Sequence, residues 1–128
     1  MLRLLLAEDN PGDVRLVKEA LRTSPVLTDL TLATDGEAAL RYLRNSRFDL
    51  VILDLNLPKR HGQNILQLCA ATDEAPPFVV CSSSLRQSDR ELAFLVGAKE
   101  YVAKPTDLDE FIKAIQSIVD RWGNHRGK

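Results

Sequence analysis

Five short, almost wholly apolar segments punctuate the chain, at residues 2–7, 30–33, 50–53, 78–81 and 101–103, and they constrain its fold more than any other feature. Longer stretches lie between them, with apolar residues at the steps of three and four that mark amphipathic helices. A strand with one wet face alternates polar and apolar residues. These segments do not alternate, so both faces need cover, as in a parallel sheet flanked by helices. The expectation is five strands and five helices in strict alternation, a doubly wound α/β domain with right-handed crossovers.

The helix starts carry their own signals. Asn10-Pro11 sets a capping side chain before a first-turn proline, and Thr34 to Glu37 and Ser88 to Glu91 have the spacing of a capping box. Thr106 to Asp109 is a weaker version. In the last helix Leu108, Phe111, Ile112, Ile115, Ile118, Val119 and Trp122 form one apolar stripe, expected to face the core.

With 128 residues, 45% hydrophobic and 27% charged, the chain fits one domain with one core. Folding at this length buries roughly two thirds of the unfolded surface, so no disulfide or structural metal is required. Seventeen Lys and Arg against eighteen Asp and Glu leave a net charge of −1, which argues against whole-surface attraction to nucleic acid or anionic membrane. No apolar run exceeds five residues, far below the ~20 of a membrane span, so neither a span nor a signal segment is expected. Cys69 and Cys81 match no metal spacing and read as reduced core thiols of a cytoplasmic protein.

In doubly wound sheets ligands bind beyond the carboxyl ends of the strands. Glu8 and Asp9 follow the first strand, Asp54 the third, Ser82, Ser83 and Ser84 the fourth, and Lys104-Pro105 the fifth. If the first and third strands are neighbours, three carboxylates converge and repel one another unless neutralised. A hard divalent cation resolves the conflict. Mg²⁺ fits best, binding through one or two carboxylates plus phosphate oxygens, whereas the scattered ligands do not form the loop that calcium favours. Lys104 adds a second positive group, and a metal, a lysine and a hydroxyl around one carboxylate suit phosphoryl transfer to that carboxylate. Each residue alone has an ordinary structural explanation; their common rim is what points to function.

Those residues resemble a known family. Glu8-Asp9, Asp54 with Pro58 and Gly62 beyond it, Ser82, Tyr101 and Lys104-Pro105 are similar, over residues 2–122, to the receiver domain of two-component response regulators. The resemblance implies a flavodoxin-like sheet of order 2-1-3-4-5 and a phosphoacceptor signalling protein, not an enzyme, apart from weak self-catalysed phosphotransfer and dephosphorylation. It implies that Asp54 attacks a phosphohistidine on a sensor histidine kinase. Asp9, Asp54 and the carbonyl of Asn56 would hold Mg²⁺ with help from Glu8, and Lys104 would pair with the phosphoryl oxygens. It further implies a cis Lys104-Pro105 bond and a switch in which Ser82 turns to the phosphoryl group while Tyr101 rotates inward. Ser82 replaces the family's commoner threonine.

Asn10 to Leu16, with Leu53 to Pro58, is similar to single-domain regulators of bacterial phytochrome histidine kinases, although His61 stands where an acidic residue is usual. A light-responsive kinase is therefore the expected partner. Residues 123–128, including His125, are expected to form a short tail with no output domain, so the signal leaves by protein contact. Leu92, Leu95 and Val96 share one helical face and Phe94 is turned away from it. Phe94 is expected to be partly exposed, on a dimer or partner surface made by helix four, strand five and helix five.

Two rivals differ in testable ways. An aspartate-nucleophile phosphatase of the haloacid dehalogenase type also uses a strand-end aspartate with Mg²⁺, but usually places a second acid where this chain has Asn56. A phosphorylation-independent binding module needs none of Glu8, Asp9, Asp54 and Lys104, and all four are present.

Overall fold

The computed structural model describes residues 1–123. Strands β1 (Leu2–Ala7), β2 (Thr28–Ala33), β3 (Leu50–Leu53), β4 (Phe78–Ser82) and β5 (Glu100–Ala103) alternate with helices α1 (Pro11–Arg22), α2 (Gly36–Asn45), α3 (Gly62–Cys69), α4 (Gln87–Leu95) and α5 (Leu108–Gly123). All strand pairs are parallel, in the order β2-β1-β3-β4-β5. This is the flavodoxin-like arrangement expected from the sequence.

The sheet divides the core into two layers because successive side chains on a strand point to opposite faces. Leu4, Leu6, Leu50, Ile52, Val79 and Cys81 meet Val14 and Val17 of α1 and Phe111, Ile115 and Ile118 of α5. Leu5, Ala7, Val51, Leu53 and Val80 meet Ala39 of α2, Ile65 and Leu66 of α3 and Ala93 of α4. The central strand β3 is buried at every position, which accounts for its uninterrupted apolar run. The edge strand β2 is only half-buried along most of its length.

Several helix ends differ from the sequence expectation. Asn10 caps α1 as expected, accepting from Asp13 N–H with Pro11 in the first turn. The cap of α2 is Asp35 rather than Thr34, because its carboxylate takes the Ala38 N–H at 2.8 Å. Helix α4 starts at Gln87, after Arg86, which makes no side-chain cap, so Ser88 lies inside the first turn. At the start of α5 it is Asp107 that accepts, from Glu110 N–H. Leu108 sits at the first position of α5 and is 63% exposed, so the apolar stripe reaches the core only from Phe111 onward.

Helix α4 does not present the expected face. Ala93 is its buried residue and Val96, just past its end, is half-buried, while Leu92 and Leu95 are exposed along with Phe94. Small Ala93 allows close approach to the sheet, and this turns both leucines outward. Helix α5 runs to Gly123, the first residue of the expected tail; 124–128, with His125, lie outside the described residues. The Lys104–Pro105 bond is trans, not cis. Trans is the ordinary preference even before proline, by ~0.5–1 kcal/mol, and the long lysine side chain reaches the strand ends from that geometry.

Candidate functional site

The parallel register brings the acidic residues together. Ala7 pairs with Leu53, so the chain leaves β1 and β3 side by side, and Asp54 N–H donates to the Ala7 carbonyl at 3.0 Å. Glu8 N–H is taken by Ala33 of β2. Lys104 is set at the same edge by its N–H on the Ser82 carbonyl, 2.9 Å away. Asp54 lies between Leu53 and Leu55, which are 0% and 1% exposed, so both of its chain neighbours are anchored in the core.

The loop after β3 folds back tightly over this edge. A Cβ on Gly62 would meet the Asp54 carbonyl oxygen at 2.6 Å, and one on Gly36 would meet the Arg60 carbonyl oxygen at 2.1 Å. Both positions admit only a hydrogen at Cα. The loop is fastened to α2 by the Arg60–Glu37 ion pair at 2.9 Å and by Gly36 N–H on the Pro58 carbonyl.

One carboxylate oxygen from each of Glu8, Asp9 and Asp54 lies within 4.8 Å of the others. Glu8 and Asp54 are buried and Asp9 is exposed. Lys104 Nζ donates to Glu8 Oε1 at 2.7 Å, Asp13 Oδ2 at 2.8 Å and Asp54 Oδ2 at 3.0 Å. The other Asp54 oxygen accepts from Asn56 N–H at 3.2 Å, and the other Glu8 oxygen from Asn10 N–H at 3.1 Å.

Burial pushes the Glu8 carboxyl up to about 7, against the lowering effect of its bond to Lys104; the nearby Asp54 charge adds to the rise. Burial works against the Lys104 ammonium, but its bonds to Asp13, Glu8 and Asp54 outweigh it and hold the group above the ordinary lysine value. One ammonium among Glu8, Asp9, Asp13 and Asp54 leaves the edge with an excess of negative charge. Clustered hard oxygen donors with a charge deficit of this kind fit a small divalent cation.

Asn56 and Ser83 line the same cleft as Glu8, Asp9, Asp54 and Lys104. Ser82 does not line it: the residue is fully buried at the end of β4, and its hydroxyl oxygen accepts from Ser84 N–H at 3.3 Å. Tyr101 is already turned inward, 9% exposed, and its hydroxyl donates to the Ser84 carbonyl at 3.0 Å. His61 caps α3 by accepting from Gln63 N–H. Cys81 is a core thiol that burial pushes up to about 12, and Cys69 is half-buried; both are free.

The structure adds residues that the sequence reading passed over. Asp13 sits in the first turn of α1 and reaches Lys104, a contact between residues 91 apart in the chain that no local spacing reveals. Asp89 of α4 accepts the Ser84 hydroxyl at 2.5 Å through its carboxylate and the Gln63 side-chain amide at 2.9 Å through its carbonyl. Its place in a helical first turn after a run of serines was the available signal.

Comparison with known proteins gives one answer. Residues 4–116 match the family model of the response regulator receiver domain. The chain is 32% identical to response regulator Rcp1 of Synechocystis, over 93% of this chain and 87% of that protein. The crystal structure of the Mn²⁺-bound form of Rcp1 superposes with a TM-score of 0.89 at 31% identity, covering 95% of this chain and 94% of that one. The phosphorylated cyanobacterial phytochrome response regulator RcpA gives 0.88 at 32% identity, covering 94% and 93%. By contrast, the chain spans about half the length of transcriptional relatives such as RprY of Bacteroides fragilis, which is 28% identical over 99% of this chain and 53% of its own. With the fold, the acidic edge and the family match in agreement, the chain belongs to the response regulator receivers, the phosphoacceptor signalling domains that partner with histidine kinases.

Proposed function

We propose that Asp54 is the phosphoacceptor of a two-component relay. Its carboxylate oxygen attacks the phosphorus of a phosphohistidine on a sensor kinase. The P–N bond breaks, the imidazole leaves with the electron pair, and a mixed acyl phosphate remains on Asp54. The observation that carries this reading is the convergence of Lys104 and two further carboxylates, Glu8 and Asp9, on a nearly buried Asp54.

Asp9, Asp54 and the Asn56 carbonyl are assigned to Mg²⁺, with Glu8 assisting through water. When bound, the ion supplies charge neutralisation for the entering phosphoryl oxygens. Lys104 pairs with the same oxygens, and Ser82 turns its hydroxyl toward them. A phosphoryl group adds about −1.5 to −2 of charge and three strong acceptors, enough to bias a two-state element. Tyr101 is the other half of that element. Its inward position against the Ser84 carbonyl is the state that phosphorylation is assigned to favour.

Residues 1–122 are assigned as the receiver, and output is assigned to the face of α4, β5 and α5, where exposed Phe94 and Leu95 offer a surface for a second copy of the chain. A phytochrome-type histidine kinase is the proposed partner, supported by the likeness to the phytochrome response regulator RcpA over nearly its full length. Labelling by acetyl phosphate or a phosphorylated kinase tests the acceptor. Mg²⁺-dependent incorporation, abolished in Asp54→Asn, is expected; undiminished incorporation in that variant would overturn the assignment.

A further inference from the structure

We propose that Asp13 is a positioning residue for the reaction assigned to Asp54: its carboxylate holds the Lys104 ammonium so that one N–H stays aimed at the reacting group. The inference rests on the phosphoacceptor reading and adds to it a residue outside the strand ends.

An ammonium has three donors and no acceptor. In Lys104 each has its own carboxylate, at 2.7 Å on Glu8, 2.8 Å on Asp13 and 3.0 Å on Asp54. The three partners come from different elements: Glu8 follows β1, Asp54 follows β3, and Asp13 belongs to α1. Only Asp13 stands apart from the group of Glu8, Asp9 and Asp54 that can hold a metal ion. Its own backbone is fixed, since Asn10 caps its N–H and Val14 and Val17 lock α1 into the core.

Phosphorylation of Asp54 moves negative charge outward from the carboxylate onto the phosphoryl oxygens. A lysine held by Glu8 alone would pivot after that charge. With Asp13 as a second fixed anchor it keeps its place, and the third N–H changes partner from Asp54 Oδ2 to a phosphoryl oxygen. An acidic residue in a first helical turn also favours the helix by its charge. That ordinary role does not require Lys104, and the test separates the two on this ground.

The experiment compares the full chain with Asp13→Ala, Asp13→Asn, Lys104→Met and the Asp13→Ala/Lys104→Met pair, reading acetyl phosphate labelling of Asp54 in excess Mg²⁺. Asp13→Ala is expected to lower the saturating rate about tenfold with little change in KM, the signature of a misplaced group rather than lost binding. Asp13→Asn, which keeps an acceptor oxygen and the helix start, recovers part of the rate. In the Lys104→Met background, Asp13→Ala has no further effect, because coupled residues are non-additive. Mg²⁺ affinity by calorimetry stays within about twofold in Asp13→Ala, since Asp13 stands apart from the metal-holding carboxylates. Additive losses, a wild-type rate in both Asp13 variants, or a matching fall in Mg²⁺ affinity would overturn the proposal. Labelling that survives Asp54→Asn would instead remove the acceptor reading beneath it.

Discussion

The Tyr101 hydroxyl donates to the Ser84 carbonyl at 3.0 Å, so a side chain of β5 is fastened to the loop that leads into α4. Ser84 in turn bonds Asp89 of α4, whose carbonyl takes the Gln63 amide of α3. Three elements on one face of the sheet are thus tied at a single loop. Tyr101→Phe removes the first tie and keeps the ring. A loss of about 1 kcal/mol is expected, the size of one intramolecular hydrogen bond. Amide exchange at residues 84–92 is expected to accelerate more than elsewhere; a uniform change across the chain would contradict the tie.

Lys104→Met tests the counter-ion. The variant leaves Glu8 and Asp54 buried without their cation, and breaking a buried ion pair from one side costs about 3–5 kcal/mol. Urea unfolding in EDTA is expected to show a loss of this order. Added Mg²⁺ restores part of it, because an ion that binds the native state alone stabilises it.

A pH dependence follows from Glu8, whose carboxyl burial pushes up to about 7 from an ordinary 4.5. The native chain binds that proton more tightly than the unfolded chain does. The metal-free protein therefore gains stability from this group as pH falls through about 7, and the gain is complete below about 4.5, where the unfolded chain is protonated too. Unfolding midpoints between pH 8 and 5.5 are expected to slope upward toward acid in the wild type. Glu8→Gln should flatten that slope, and parallel profiles would count against the burial of the charge.

Gly62→Ala sets a methyl group 2.6 Å from the Asp54 carbonyl oxygen and 2.7 Å from Leu55 Cα. Both contacts are backbone, which cannot swing aside as a side chain would. A destabilisation of about 1–3 kcal/mol is expected from the overpacking, with slower labelling of Asp54 as its backbone is displaced. Thermal melting and the labelling assay read the two effects separately.

The parts of this molecule that were legible in its sequence are those set by local chemistry. The apolar runs of β3 and of β1 from Leu4 to Ala7 mark buried strands because burial on both faces leaves no place for a polar residue; exposed Arg3 sits before the second of these. Glu8, Asp9, Asp54 and Lys104 were legible because a doubly wound fold sends every strand end to one edge. Orientation was less legible. Periodicity shows that α4 has an apolar side but not that Ala93, rather than Leu92 or Leu95, faces the sheet. Capping-box spacing in 34–37 and 106–109 located the helix starts to within a residue, yet the aspartates Asp35 and Asp107 do the capping. Asp13 and Asp89 act through contacts fixed only when the helices have docked, and the inward turn of Tyr101 is a rotamer choice that no spacing encodes.

The packing of Leu53 and Leu55 on either side of Asp54 has one last implication. If Asp54 is the acceptor, a strand end anchored on both sides holds its backbone in place, so more of the approach has to come from the incoming donor. Small, unhindered acyl phosphates and a protein that projects its phosphohistidine on a convex ridge can both complete that approach. A donor recessed in its own groove is expected to label the chain more slowly at equal reactivity, so that discrimination among phosphodonors would begin with surface relief.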